Sequence, residues 1–377
     1  MLVLIPIIAM LSLEFIVSGK RKPSAKTLLS MMGCGILFLI ALRLVLPTAW
    51  IYPEGEATMR VRAQVTHLLS VKDWQKKPVL IVEGSSTTSY GINGRALEQI
   101  LNDHGVPVTV LQFSMLGASH FERLFMLQLF FQELGKQHQQ ELRQAPTILL
   151  SEVLESYDQE PLFTFRHRGY TNRSIEFLSP WNAYLTWKTS CKKNTDDAFL
   201  RKIVKASYLN VFLGGIFSSF QPLNYRKQAE SFCPKSEVSK TFNYTKKATD
   251  LKNFLRHPPA TSAVEIPSEG WSLYYQELYQ EYSDTIHSLV FFPIPTLQPS
   301  EIIYQTAFSQ HLPPSTMMLG PLFRDRMTDQ LLQEKNWSDE LHLHKTGTSV
   351  FTQWLADQII EHWSQILATP WKKNTTR

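Results

Sequence analysis

With 377 residues, 44% of them hydrophobic and 19% charged, the chain carries enough apolar side chains for one large globular domain, or two small ones, plus an anchor. Its formal net charge of +5 is small for this length, and the lysines and arginines are scattered without an arginine-rich helix, so no nucleic-acid partner is expected. Three cysteines with neither a CxxC nor a zinc-ligand spacing exclude the common thiol-metal and dithiol-redox motifs, and neither a metal nor a cofactor is expected.

Two apolar stretches open the chain. Residues 2–17 are broken by Pro6, Ser12 and Glu14, whereas residues 28–47 are broken only by Ser30 and Arg43. A spanning helix needs about 20 mostly apolar residues, which the second stretch meets and the first meets marginally. Lys20, Arg21, Lys22 and Lys26 lie between them, and a short basic loop beside a span stays cytoplasmic. Residues 1–50 are therefore expected to form a membrane anchor of one or two transmembrane helices, with everything beyond on the extracytoplasmic side. A cleaved signal peptide is the competing reading, but the N-terminus lacks a charged start and a clear small-residue cleavage site. In that compartment Cys191 and Cys233 can pair or remain two buried thiols.

Residues 51–77 read as a polar connector with a short helix. Residues 78–83 (PVLIVE) form a continuous apolar run ending at Gly84, as in a buried parallel strand, and a helix is predicted over 94–102. The cycle repeats with a strand at 108–113, a turn at Gly117 and a helix over 120–134, and residues 146–150 (PTILL) supply a third strand. A long stretch, about 155–285, reads as a mostly helical or irregular insertion. It is followed by a strand at 287–292, a short fifth at 317–319 and a last helix over 349–367. Residues 368–377 form a polar tail. Alternating strands and helices imply a parallel sheet covered by helices on both faces.

The chemistry concentrates in two segments. Gly84-Ser85-Ser86-Thr87-Thr88-Ser89-Tyr90-Gly91 stands at the C-terminal end of the first strand, where open α/β sheets place ligands. A serine on that turn is exposed to substrate, although a cluster of Ser and Thr is also an ordinary helix cap. Asp339-Glu340-Leu341-His342-Leu343-His344 precedes the last helix. A carboxylate three residues before a histidine can fix its tautomer and free the other ring nitrogen to take a proton from serine. His342 and His344 also suggest a metal fragment, but no third ligand has suitable spacing.

Together these segments resemble the SGNH (GDSL-type) esterase and acyltransferase superfamily, whose first block is a strand-end Gly-Asp-Ser and whose last is an Asp-x-x-His loop leading into the C-terminal helix. Gly84-Ser85-Ser86, followed by Tyr90-Gly91-Ile92-Asn93, looks most like membrane-anchored bacterial envelope members. Those are similar to the D-alanyl transfer protein of lipoteichoic acid synthesis and to exopolysaccharide O-acetylation proteins. The resemblance implies a flavodoxin-like three-layer α/β/α sandwich over 78–367. It implies Ser86 as nucleophile, His342 as general base and acid, and Asp339 as orienting carboxylate. The backbone amides of Ser86 and Gly117 would then form the oxyanion hole.

The third family block, Gly-x-Asn-Asp, is absent. Leu150-Ser151-Glu152-Val153 stands in its place, which leaves Ser151 or Ser119 as substitute donors. The expected partners are the membrane, an acylated glycan or other ester, and a multispanning membrane acyltransferase supplying acyl groups. A catalytically silent SGNH-like glycan-binding or scaffolding protein is the alternative. Trp181, Tyr184, Trp187 and the aromatics from Trp271 to Tyr282 suggest either sugar stacking or packing at helical spacing. Arg166-His167-Arg168 suggests either an anion site or a solvated turn. His120 could line the site, and His344 could orient its loop.

Overall fold

The computed structural model describes residues 56–118, 120–153, 242–257, 269–323 and 325–371. The chain divides into two compact units, Met1–Glu54 and Gly55–Arg377. The expected anchor, the Cys191–Cys233 pair, Ser119, Trp181, Tyr184, Trp187 and Arg166-His167-Arg168 lie outside the described residues. Among the described residues no helix is long and apolar enough to cross a membrane.

The second unit is an α/β structure on a five-stranded sheet in which every neighbouring pair is parallel. The strands are β1 (Val79–Gly84), β2 (Thr109–Ser114), β3 (Thr147–Val153), β4 (Ser288–Pro293) and β5 (Thr316–Met318), in the order β2-β1-β3-β4-β5. The first four are buried along their whole length, which explains why apolar and polar residues do not alternate along them in sequence. The order reverses between β1 and β3. At such a point the flanking connections leave in opposite directions and open a crevice at the carboxyl ends of the strands.

Helices cover both faces. Helix α1 (Glu56–Ser70) packs on β2 and on α4 (His120–Leu142), and α6 (Glu269–Tyr282) packs on α4 as well. On the other face α3 (Gly94–Asp103) and the last helix, α9 (Lys345–Ala368), share a core with Leu80, Val82, Ile148, Leu150, Val290 and Phe292. The remaining α-helices among the described residues are α2 (Ser86–Gly91), α5 (Tyr244–Arg256), α7 (Pro299–Gln310) and α8 (Asp325–Leu331).

The short helix expected within 51–77 is found at residues 56–70, where its 15 residues pack on the second strand and on α4. Its buried Ala57, Val61, Val65 and Leu68 form the narrow apolar stripe of an amphipathic helix. The helix expected over 120–134 does break at Gly135, whose φ of 72° glycine tolerates, and a second helical segment continues to Leu142 beyond that kink. The third strand extends three residues beyond its apolar run, because Ser151 and Glu152 keep pairing with Phe291 and Phe292 of β4.

The tyrosines of α6 pack internally. Tyr274 is fully buried, Tyr275 and Tyr279 lie against Trp371, and Tyr282 stacks on Phe131 at 4.6 Å. Their spacing therefore reflects a helix seated on the domain, with rings contributing area and edge contacts.

Candidate active site

Strand β1 ends at Gly84 beside the sheet's point of reversal, and the chain turns there into α2. A Cβ at residue 84 would fall well inside van der Waals contact with Thr88 Oγ1 and 2.5 Å from Glu152 Oε2, so only glycine lets the turn close this tightly. Ser85 is the N-cap of α2, with its side chain accepting from the Thr87 amide at 3.3 Å. Ser86 is thereby the first residue of the helix and is 6% exposed.

The second segment is a pinned loop. Trp337 and Leu343, both buried, form an antiparallel bridge across its base, and the Ser338 amide donates to the His342 carbonyl at 2.9 Å. Asp339 Oδ1 accepts from the amides of Leu341 and His342 at 3.0 and 2.9 Å, turning the chain back on itself. The same carboxylate meets His342 Nδ1 at 2.8 and 2.9 Å from its two oxygens. With Nδ1 carrying its proton toward Asp339, Nε2 is left as an acceptor, and Ser86 Oγ lies 2.9 Å from it. Ser86, His342 and Asp339 thus form one continuous hydrogen-bonded chain between residues 256 positions apart in sequence.

The Tyr90 ring stands edge-on to His342 at 5.1 Å and 90°, restricting how the imidazole can tilt. The Tyr90 carbonyl accepts from Thr348 Oγ1 of α9, which ties α2 to the helix that follows the histidine loop. Gly117 has a φ of 64° in the turn after β2, just beyond the bond from the Met115 amide to the Gly84 carbonyl. The Ser86 turn and the Gly117 turn therefore leave adjacent strand ends.

Beneath the serine turn lies a cluster that the sequence reading missed. Glu152 is buried, and its Oε2 accepts from the amides of Ser85 and Thr88 at 3.0 and 3.1 Å and from the Thr88 hydroxyl. Its Oε1 accepts from Ser85 Oγ at 2.7 Å and from Arg123 at 3.0 Å. Arg123, also buried, donates through its other terminal nitrogen to the Glu152 carbonyl at 2.9 Å.

One register row away, Glu83 Oε1 accepts from Ser151 Oγ at 2.7 Å and from the Tyr274 hydroxyl. Burial pushes the Glu83 carboxyl above its ordinary range, against the opposing pull of Arg123 and those donors. Burial, and then Glu83, likewise hold the Tyr274 phenol well above its usual value. The sequence held one signal of this cluster: two otherwise apolar strands each carry a glutamate at the end that meets the serine turn.

Ser151 does not serve as a substitute oxyanion donor, because its hydroxyl is committed to Glu83 on the neighbouring strand. His120 is buried, with its ring 5.1 Å from that of Tyr274. His344 is the N-cap position of α9, and its amide donates to the Asn336 carbonyl at 2.8 Å. Among the described residues no group of three His, Cys, Asp or Glu side chains is arranged to hold a metal ion. No protein-family model matches the sequence, and no curated protein matches it.

Proposed function

We propose that the chain is an extracytoplasmic serine esterase or O-acyltransferase of SGNH type, acting on acylated envelope glycans through an acyl-enzyme at Ser86. The observation that carries this reading is the Ser86 Oγ to His342 Nε2 distance of 2.9 Å, with His342 Nδ1 on Asp339. His342 takes the hydroxyl proton as Ser86 attacks the ester carbonyl, then gives it to the departing alkoxide. An incoming hydroxyl, from water or from a glycan, is deprotonated by His342 and attacks the acyl carbonyl; the acyl group stays on the incoming oxygen, and Ser86 Oγ leaves and takes the proton back from His342. Asp339 holds the tautomer and stabilises the imidazolium.

The backbone amides of Ser86 and Gly117 are the proposed oxyanion donors. The strand order and the two covering layers of helices fit a flavodoxin-like three-layer sandwich. The apolar stretches at 2–17 and 28–47 supply the proposed membrane anchor, which would confine the site to the outer side of a bacterial plasma membrane. Envelope polymers would be the acceptors there, and a multispanning membrane acyltransferase the acyl donor.

One observation favours a second reading, a silent glycan-binding or scaffolding module. Where the family carries an asparagine donor, this chain has Ser151 and Glu152, both engaged elsewhere. Hydrolysis of p-nitrophenyl acetate and of acetylated glycans by purified protein separates the two. The enzyme reading expects acetate release or acyl transfer that disappears in Ser86→Ala, whereas a folded protein that binds glycan and turns over neither substrate supports the module.

A further inference from the structure

We propose that Glu152, held by Arg123, is the positioning residue for the nucleophile: its single carboxylate fixes the turn that presents Ser86 to His342. The inference rests on the acyl-enzyme reading above and names what makes Ser86 competent. Four donors of the turn converge on this one group: the Ser85 amide and hydroxyl and the Thr88 amide and hydroxyl. They flank Ser86 on both sides in sequence, so the placement of its Oγ is set by how they are held.

A carboxylate carries no hydrogen, so each of its oxygens meets only donors: three converge on Oε2 and two, Arg123 included, on Oε1, whereas an amide in its place would put a donor against donors. The site is dry, with the side chains of Glu152 and Arg123 both at 0% exposure, so water cannot take over the bonds. Arg123 also bonds the Glu152 main chain, which prevents the carboxylate from shifting along the strand. Its charge balances that of Glu152, so the oxyanion forming at Ser86 does not face an uncompensated negative neighbour. The glycine at residue 84 fits the same purpose, since any side chain there would wedge the turn off the carboxylate.

The test is the rate of covalent labelling by a fluorophosphonate, split into the maximal rate and the half-saturating concentration and expressed per folded molecule. Glu152→Gln is expected to lower the maximal rate about 100-fold, the cost of misplacing a reacting group by about 1 Å, with half-saturation unchanged. Glu152→Asp keeps the charge and is expected to recover part of that loss.

Glu152→Gln exposes a buried arginine to an unpaired state and can fail to fold, so Ser85→Ala/Thr88→Val provides the second arm. That variant leaves the ion pair intact, removes two hydroxyl donors and is expected to lower the maximal rate about tenfold or more. Folded variants that label at the wild-type rate overturn the positioning role and leave the acyl-enzyme reading standing. A wild type that takes no label at all overturns both.

Discussion

At the scale of single residues, the site uses two kinds of carboxylate for two purposes. Asp339 is partly exposed and pairs with His342, which in the proposed mechanism changes its charge during the reaction. Asp339→Asn reverses the tautomer preference of His342, and kcat is expected to fall by about 10,000-fold with KM little changed, as measured by steady-state ester hydrolysis.

Glu83 is buried, and its consequence is a pH dependence of stability. Its raised pKa means that the folded chain holds this proton to higher pH than the unfolded chain does. The stability it contributes is fully present below the ordinary value of 4.5 and is lost as pH rises through the raised value. Glu83→Gln removes the titration while still accepting from Ser151 and Tyr274. Thermal melts across pH are therefore expected to show the variant gaining on wild type as pH rises from 4.5, and a constant difference would refute the assignment.

At the scale of elements, the last helix does more than close the core. Gly347, in its first turn, packs so closely on the Asn336 carbonyl that an added Cβ would collide with backbone. Asn336 also accepts from the His344 amide, so the contact braces both ends of the loop bearing Asp339 and His342. Gly347→Ala is expected to cost about 1–3 kcal/mol in urea denaturation. It should also slow labelling of the folded fraction, because the strain is released into that loop. Normal labelling of a destabilised variant would show the loop to be independent of the helix.

The elements also show what sequence can carry. The strands were legible because strands covered on both faces are mostly apolar without alternation, which leaves short apolar runs such as Val79–Val82 and Leu289–Phe292. Helix α1 was legible only as a short helix in a polar connector, because Arg60, Arg62 and its other polar residues mask its apolar stripe. Arg60 is itself buried, donating to the Ser114 carbonyl at 3.1 Å, a contact that no local pattern encodes. The end of β3 was missed for a related reason. Ser151 and Glu152 read as a polar loop until their partners on β1, α2 and α4 are known.

At the scale of the whole molecule, the two segments that meet at the site stand at opposite ends of the folded unit, and the sequence pointed to both through short spacings whose chemistry is local. The Asp339 to His342 pairing is legible because three residues of turn suffice to close it. The approach of Ser86 is legible only through the resemblance, since nothing within either segment specifies the other.

The proposed anchor can be tested by cutting the chain at its division between Glu54 and Gly55. Residues 55–377 expressed alone are expected to remain folded and labelled in the soluble fraction, while the full chain sediments with membranes. A full chain that fractionates as soluble would remove the anchor from the account.

The central claim is that Ser86 is a nucleophile activated by His342. Its most direct measurement is peptide mapping by mass spectrometry after fluorophosphonate treatment of the folded protein. A single adduct on Ser86, lost in His342→Ala, is the predicted result. A folded protein with no adduct, or with one on another residue, would contradict it.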